Sequence, residues 1–255
     1  MTVKDKILQG RTYLGIELGS TRIKAVLIDD SFSVIASGSK QWENRFENGC
    51  WTYSLDDIHG GIQACYKDLA ENVKAQYGIY PETYGAMGIS AMMHGYMAFD
   101  KNDKLLVPFR TWRNTMTAQA AGELTKLLGF NIPQRWSIAH LYQAVLNKEA
   151  HVPYIAYINT LAGYVHKRLT DRFEVGVGEA SGIFPVEGIG YKKEYCEPTE
   201  KSLAEKGFDH KLKDILPAVR NAGGKGAVLT EEGAKFLDPE GRLKAGVPVC
   251  PPEGD

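Results

Sequence analysis

Residues 13–29 read YLGIELGSTRIKAVLID, two apolar runs joined by a turn holding an acid, a glycine and two hydroxyls. Reversing a chain between two strands needs only a glycine and something small. This turn also offers Glu17, Ser20, Thr21, Arg22 and Lys24, a surplus of hydrogen-bonding chemistry. A strand-end carboxylate followed by a glycine-hydroxyl turn can cradle phosphate. Glycine lets the backbone approach, turn amides form a nest for anionic oxygens, and the acid can hold a magnesium ion through water. Lys24 adds positive charge nearby. The plainer alternative is a solvated hairpin turn.

Working outward, YLGIE (13–17), IKAVLID (23–29) and SVIASGSK (33–40) are three β-type runs separated by short turns. No helix fits between them, so an antiparallel meander is expected. The period then changes: Ile58, Ile62, Cys65/Tyr66, Leu69, Val73 and Tyr77 recur every three or four residues, as in a long amphipathic helix. Ser54 or Asp56 is its N-cap and Gly78 its C-terminal stop. YGAMGIS (84–90) follows as a buried strand, parallel to an earlier one because a helical crossover normally implies that.

Further on, YMAFD and LLVPF flank KNDK as a hairpin at 96–109, and helices are expected over 115–130 and 137–150, the latter capped by Ser137. YIAYI (154–158) reads as a strand, NTLAGYVHKRLT as a helix capped by Asn159, and 171–200 as an excursion with little regular structure. KGFDHKLKDILP and EEGAKFL carry short helices, and AGVPVCPPEGD ends in a short strand. The fold class is α/β: a mixed sheet, three-strand meander plus parallel strands, with helices on both faces.

Composition narrows the functions. Thirty basic and 31 acidic side chains leave a net charge of -1, without the basic excess that nucleic acid or an anionic membrane selects. No apolar run approaches the roughly 20 residues of a bilayer span, and MTVKDKILQGRTY lacks the continuous apolar segment of a signal peptide. The four scattered cysteines are expected as thiols in a cytoplasmic protein.

Three more stretches carry chemistry. Met92-Met93-His94-Gly95 follows a strand, where ligands of open α/β sheets gather, and His94 could bond a substrate hydroxyl. Thr111-Trp112-Arg113-Asn114 sets an apolar face beside polar groups, which suits a sugar. The alternative there is a core tryptophan beside a helix capped by Asn114. In Gly254-Asp255 an acid emerging from a strand could take a proton from a hydroxyl.

Taken in order, these stretches resemble the N-terminal half of the FGGY carbohydrate kinases, most closely the xylulose kinase branch. YLGIELGSTRIKAVLID resembles the opening phosphate hairpin, GISAMMHGYMAFD the segment contacting a ketopentose, FRTWRNT the tryptophan-polar wall of the sugar pocket, and PEGD the catalytic aspartate site. YINTLAGYVHKRLTDRFEVGVGEASGIFPV resembles the family's middle segment, so the likeness runs over the whole chain.

The resemblance implies an actin-like ATPase fold with a ribonuclease-H-like, sugar-binding domain over 1–255. A second, ATP-binding domain would lie outside this chain, which would then be nearly inactive alone. It implies ATP and Mg²⁺ as cofactors, with Glu17 (also the metal ligand), Gly19, Ser20, Thr21 and Lys24 on the phosphate side. Met93, His94, Trp112, Arg113 and Asn114 would face a small ketose or polyol, and Asp255 would be the base. Partners would be the sugar alone, with no nucleic acid or membrane and a homodimer of the full-length protein left open. Three departures stand out: Glu17 replaces an aspartate, Arg113-Asn114 replaces Asn-Asp, and Met92 replaces a frequent glutamine. Glu17 and Arg113 favour, as a competing expectation, a sugar-sensing or scaffold module without transfer activity. A third is an actin-like ATPase acting on a protein or acyl substrate.

Overall fold

Side chains of Thr12–Leu18 and Arg22–Asp29 alternate between buried and exposed, so each strand turns Leu14, Ile16, Leu18, Ile23, Ala25 and Leu27 into one core. A computed structural model describes residues 1–224 and 226–255 and shows the expected meander: Thr12–Leu18, Arg22–Asp29 and Val34–Gln41 pair antiparallel in sequence. Ala86–Ala91 then joins Thr12–Leu18 in parallel, with Leu18 opposite Ala91. Pro248–Val249 and Glu253–Gly254 extend the sheet along the other side of Ala86–Ala91.

The long helix is Leu55–Tyr77. Ser54 is its cap, in a capping box completed by Asp57, and Gly78 closes it in the left-handed conformation (φ 75°). It lies so close to the sheet that a Cβ on Gly38 would stand 2.4 Å from the Leu69 backbone nitrogen. This helix, Leu161–Thr170 and Glu231–Leu237 fill one face of the sheet. On the other face Tyr13 and Val26 remain exposed. A second core gathers around the helices Ala118–Leu128 and Ser137–Leu146. No helix is long and apolar enough to cross a membrane, and all four cysteines are free thiols.

Several local expectations are corrected. Met97–Phe99 pairs with Tyr157–Asn159, not with a hairpin partner; the return of the chain makes only single bridges at Phe99–Leu105 and Tyr96–Arg110. Residues 152–154 form a 3₁₀ turn, so the strand expected at 154–158 starts at Tyr157. Thr160, not Asn159, caps Leu161–Thr170, because the Asn159 Oδ1 is taken by the Thr160 N–H. Ser137 is the first helical residue, not the cap, and its hydroxyl donates to Gly95 O at 2.6 Å. The stretch 171–200 is more regular than expected: it holds the strand Glu174–Gly176, the helical turn Val177–Ala180, a small hairpin at 186–191 and the start of the helix Lys193–Glu205.

Candidate active site

Three parallel strands end side by side: Leu18 lies opposite Ala91, and Ala91 opposite Gly254. The Met92 N–H donates to Leu18 O and the Asp255 N–H to Ala91 O, each at 3.0 Å. The turn at 19–21, the Met93-His94 corner and Asp255 therefore leave the sheet together, spread over two strand spacings of about 5 Å each. This is the carboxyl-end position where open α/β sheets bind ligands. A groove of about 450 Å³ runs from the open face of the sheet toward these ends, lined by residues that include Glu17, Lys24, Val26, Ser90, Cys250 and Glu253.

The hairpin tip is held by its carbonyls. Trp42 Nε1 donates to Gly19 O at 2.7 Å, the Tyr53 hydroxyl to Ser20 O at 2.5 Å and the Trp42 N–H to Thr21 O at 3.2 Å. In a trans peptide the C=O and the following N–H point in opposite directions. The N–H groups of Ser20 and Thr21 thus face away from these anchors, and they make no hydrogen bond among the described residues. Two free, adjacent amides fit a phosphate oxygen. The Gly19 amide differs from the sequence expectation, because it is spent closing the turn on Arg22 O at 3.1 Å. A Cβ there would fit tightly, 3.0 Å from Glu17 Oε1 and 3.1 Å from Arg22 O.

Glu17 faces Lys24 across the hairpin, with Nζ 3.4 Å from each carboxylate oxygen and both side chains about half exposed. Such a pair contributes little to stability. No cluster of three or more metal-ligating side chains exists among the described residues. A magnesium ion held by phosphates, water and one carboxylate needs none, so the donor set fits that mode at Glu17.

His94 adopts the left-handed conformation (φ 70°), followed by Gly95 at φ 96°, which turns the chain sharply off its strand. Glycine is required at 95 because a Cβ would stand 2.7 Å from Arg110 O. The Nδ1 is buried without a hydrogen-bond partner, 2.6 Å from where a Cβ on Gly182 would stand, so Nε2 is the nitrogen left for a ligand. Burial first, then the Arg135 charge, pushes the imidazole below its ordinary range, against a weaker pull from Gly182 and Asp255. The ring is therefore neutral near pH 7. Asp255 Oδ1 accepts the Met93 N–H at 3.0 Å.

The tryptophan-polar segment divides. Trp112 is exposed, whereas Arg113 stacks on Trp51 at 3.8 Å from its ring centre. Asn114 is buried and fully used: Oδ1 accepts from Trp51 N, while Nδ2 donates to Trp51 O and Thr111 O. It neither caps the following helix, whose N-cap is Thr117, nor has a polar group free for sugar.

Sequence reasoning missed Trp42 and Tyr53, which hold the tip, Trp51, on which Arg113 stacks, Arg135, whose charge acts on His94, and Glu253, which lines the groove. The available signal was Asn48-Gly49, whose positive φ values (50° and 78°) make the tight turn between Arg45–Glu47 and Cys50–Thr52. That hairpin carries Trp51 to Arg113. Replacing Tyr53 by Phe removes one anchor of the tip. It is expected to cost about 1 kcal/mol and to speed hydrogen exchange at the Gly19 and Trp42 amides, which donate to Arg22 O and Thr21 O; unchanged exchange would show that Trp42 alone holds the turn.

The mixed sheet, with a three-strand meander extended by parallel strands and helices on its faces, is the α/β architecture expected from the sequence. The sequence model for the N-terminal domain of the FGGY family of carbohydrate kinases matches residues 12–255. The chain belongs to that family. A xylulose kinase of Lactococcus lactis subsp. lactis (strain IL1403) is 23% identical over 124 residues, covering 46% of this chain and 23% of that protein. A crystal structure described as a xyloylose kinase from Brucella ovis superposes with a TM-score of 0.75 at 21% identity, over 96% of this chain and 49% of that one. A gluconate kinase from Lactobacillus acidophilus gives 0.71 at 19%, over 96% and 48%. The chain thus spans about half the length of these solved structures and under a quarter of the curated relative.

Proposed function

We propose that this chain is the sugar-binding domain of a kinase that transfers phosphate from MgATP to a hydroxyl of a small ketose or polyol, with a second domain supplying most of the ATP contacts. The observation that supports the reading is the convergence of three neighbouring strand ends, from which the turn at Ser20 and Thr21, the Met93-His94 corner and Asp255 leave the sheet side by side. Asp255 takes the proton of the attacking hydroxyl. Neutral His94 exchanges a hydrogen bond with a sugar hydroxyl through Nε2, the exposed face of Trp112 packs on the ring, and the edge of the Arg113 guanidinium donates. Ser20 and Thr21 hold phosphoryl oxygens. Lys24 offsets their charge, and Glu17 would hold a magnesium ion, which would supply neutralising charge to the phosphates. Little covalent chemistry is asked of the protein, so positioning supplies most of the acceleration.

The test is a coupled assay of the complete protein with MgATP against ketoses, polyols and sugar acids, beside the 255-residue chain alone. One sugar class is expected to support turnover by the complete protein, while the chain alone binds that sugar without measurable transfer. Enzymatic rates from the chain alone would overturn the two-domain reading. The Lys24 ammonium beside Glu17 favours a second reading, a sugar-sensing module, because it competes with a cation there. Calorimetric sugar binding with no transfer by the complete protein would select it.

A further inference from the structure

Asp255 is held on one side by the sheet, through its N–H to Ala91 O and the pairing of Glu253–Gly254 with Ser90–Ala91. A different contact holds the other side. Glu253 lays its carboxylate on the junction where Glu174–Gly176 runs directly into the helical turn Val177–Ala180, and Oε2 accepts the Glu179 N–H at 3.0 Å. Next to it the Gly176 N–H donates to Pro252 O at 2.8 Å. A Cβ on Gly176 would stand 1.9 Å from Glu253 Oε1, and one on Gly178 would stand 2.7 Å from Oε2. The carboxylate thus fills the space that side chains would take at both glycines. Gly254 is equally constrained, since its Cβ would meet Met93 Cγ at 2.0 Å and Glu179 Oε2 at 2.7 Å.

We propose that Glu253 is a positioning residue: clasped in the cradle of Gly176 and Gly178, it sets the height and direction in which Asp255 leaves the sheet. The Asp255 carboxylate then meets the Met93 N–H and the sugar hydroxyl in one fixed orientation. The functional consequence rests on the reading of Asp255 as the base; the clasp rests on its own contacts.

The Met93 amide reads the placement, because it donates to Asp255 Oδ1. Glu253→Ala in the 255-residue chain is expected to shift that amide proton upfield and speed its exchange about tenfold. Glu253→Gln, whose carbonyl still accepts from Glu179, is expected to restore most of both. Gly176→Ala is expected to destabilise the wild-type chain, and much less the chain that already carries Glu253→Ala, because the clash is then gone. In the complete kinase, Glu253→Ala is expected to lower kcat about 10²-fold with sugar KM nearly unchanged, and Glu253→Gln to recover most of the loss. An unmoved Met93 amide in a folded Ala variant, or additive effects of the Gly176 and Glu253 changes, would overturn the clasp. A raised KM at constant kcat would overturn the positioning role. A complete protein that phosphorylates no sugar counts against the kinase reading alone, and the amide and double-variant measurements still decide the clasp.

Discussion

Asp255→Asn in the complete kinase is expected to lower kcat for sugar phosphorylation by about 10²- to 10⁴-fold, the usual contribution of a general base. The substitution isolates the proton transfer. An asparagine carbonyl can still accept the Met93 N–H that now reaches Asp255 Oδ1, and the backbone bond from residue 255 to Ala91 O is untouched. Shape and position are therefore kept while the capacity to take a proton is lost. Sugar KM should stay close to wild type, because an interaction made only in the transition state appears in kcat. The loose transition state of phosphoryl transfer works against a very large effect, since the hydroxyl proton leaves late. A loss under about tenfold would mean that Asp255 does not act as the base.

Glu179→Gln is expected to stabilise the chain at alkaline pH. The Glu179 side chain is fully buried, neither carboxyl oxygen has a hydrogen-bond partner, and burial pushes its pKa up to about 8. The Glu253 and Asp255 charges add to the rise, and Thr160 opposes it. The folded chain thus keeps a proton that the unfolded chain releases near pH 4.5. With more protons bound in the folded state, stability falls as pH rises between those values and levels off above about 8. Three and a half pH units correspond to about 5 kcal/mol. Glutamine carries no such proton and escapes the loss.

Buried histidines act in the opposite direction. His140 is held down to about 3 by burial, with a smaller push from Arg110, so the chain gains stability as pH rises from that value to the ordinary histidine range. That contribution cancels when the two chains are compared. Thermal unfolding between pH 5 and 9 should show the variant pulling ahead of wild type until about pH 8. Parallel profiles would mean that Glu179 ionises within the fold.

What could be read along the chain was what neighbours in sequence settle. The meander and the parallel strand at Ala86–Ala91 follow from alternation and from a helical crossover. The Leu55–Tyr77 helix follows from its apolar period and its Ser54 and Gly78 ends. Order and spacing of the motifs along a single chain were also enough to assign its family. What could not be read were choices between chemically equal local options. Asn159 and Thr160 both make good caps, and only the Asn159 Oδ1 bond to the Thr160 N–H decides.

Long-range partners lie further out of reach. Met97–Phe99 has a plausible neighbour within ten residues, yet pairs with Tyr157–Asn159, because both line the junction of the two cores. Asn114 reads as a sugar ligand from its place beside Trp112, but burial against the Trp51 backbone consumes every polar atom it has. Sequence alone determined the strands, the main helix, the family and which residue types stand at the strand ends. Tertiary structure alone decided which of those groups remain free to act, because a hydrogen-bonding atom is available only if no distant part of the chain has already claimed it.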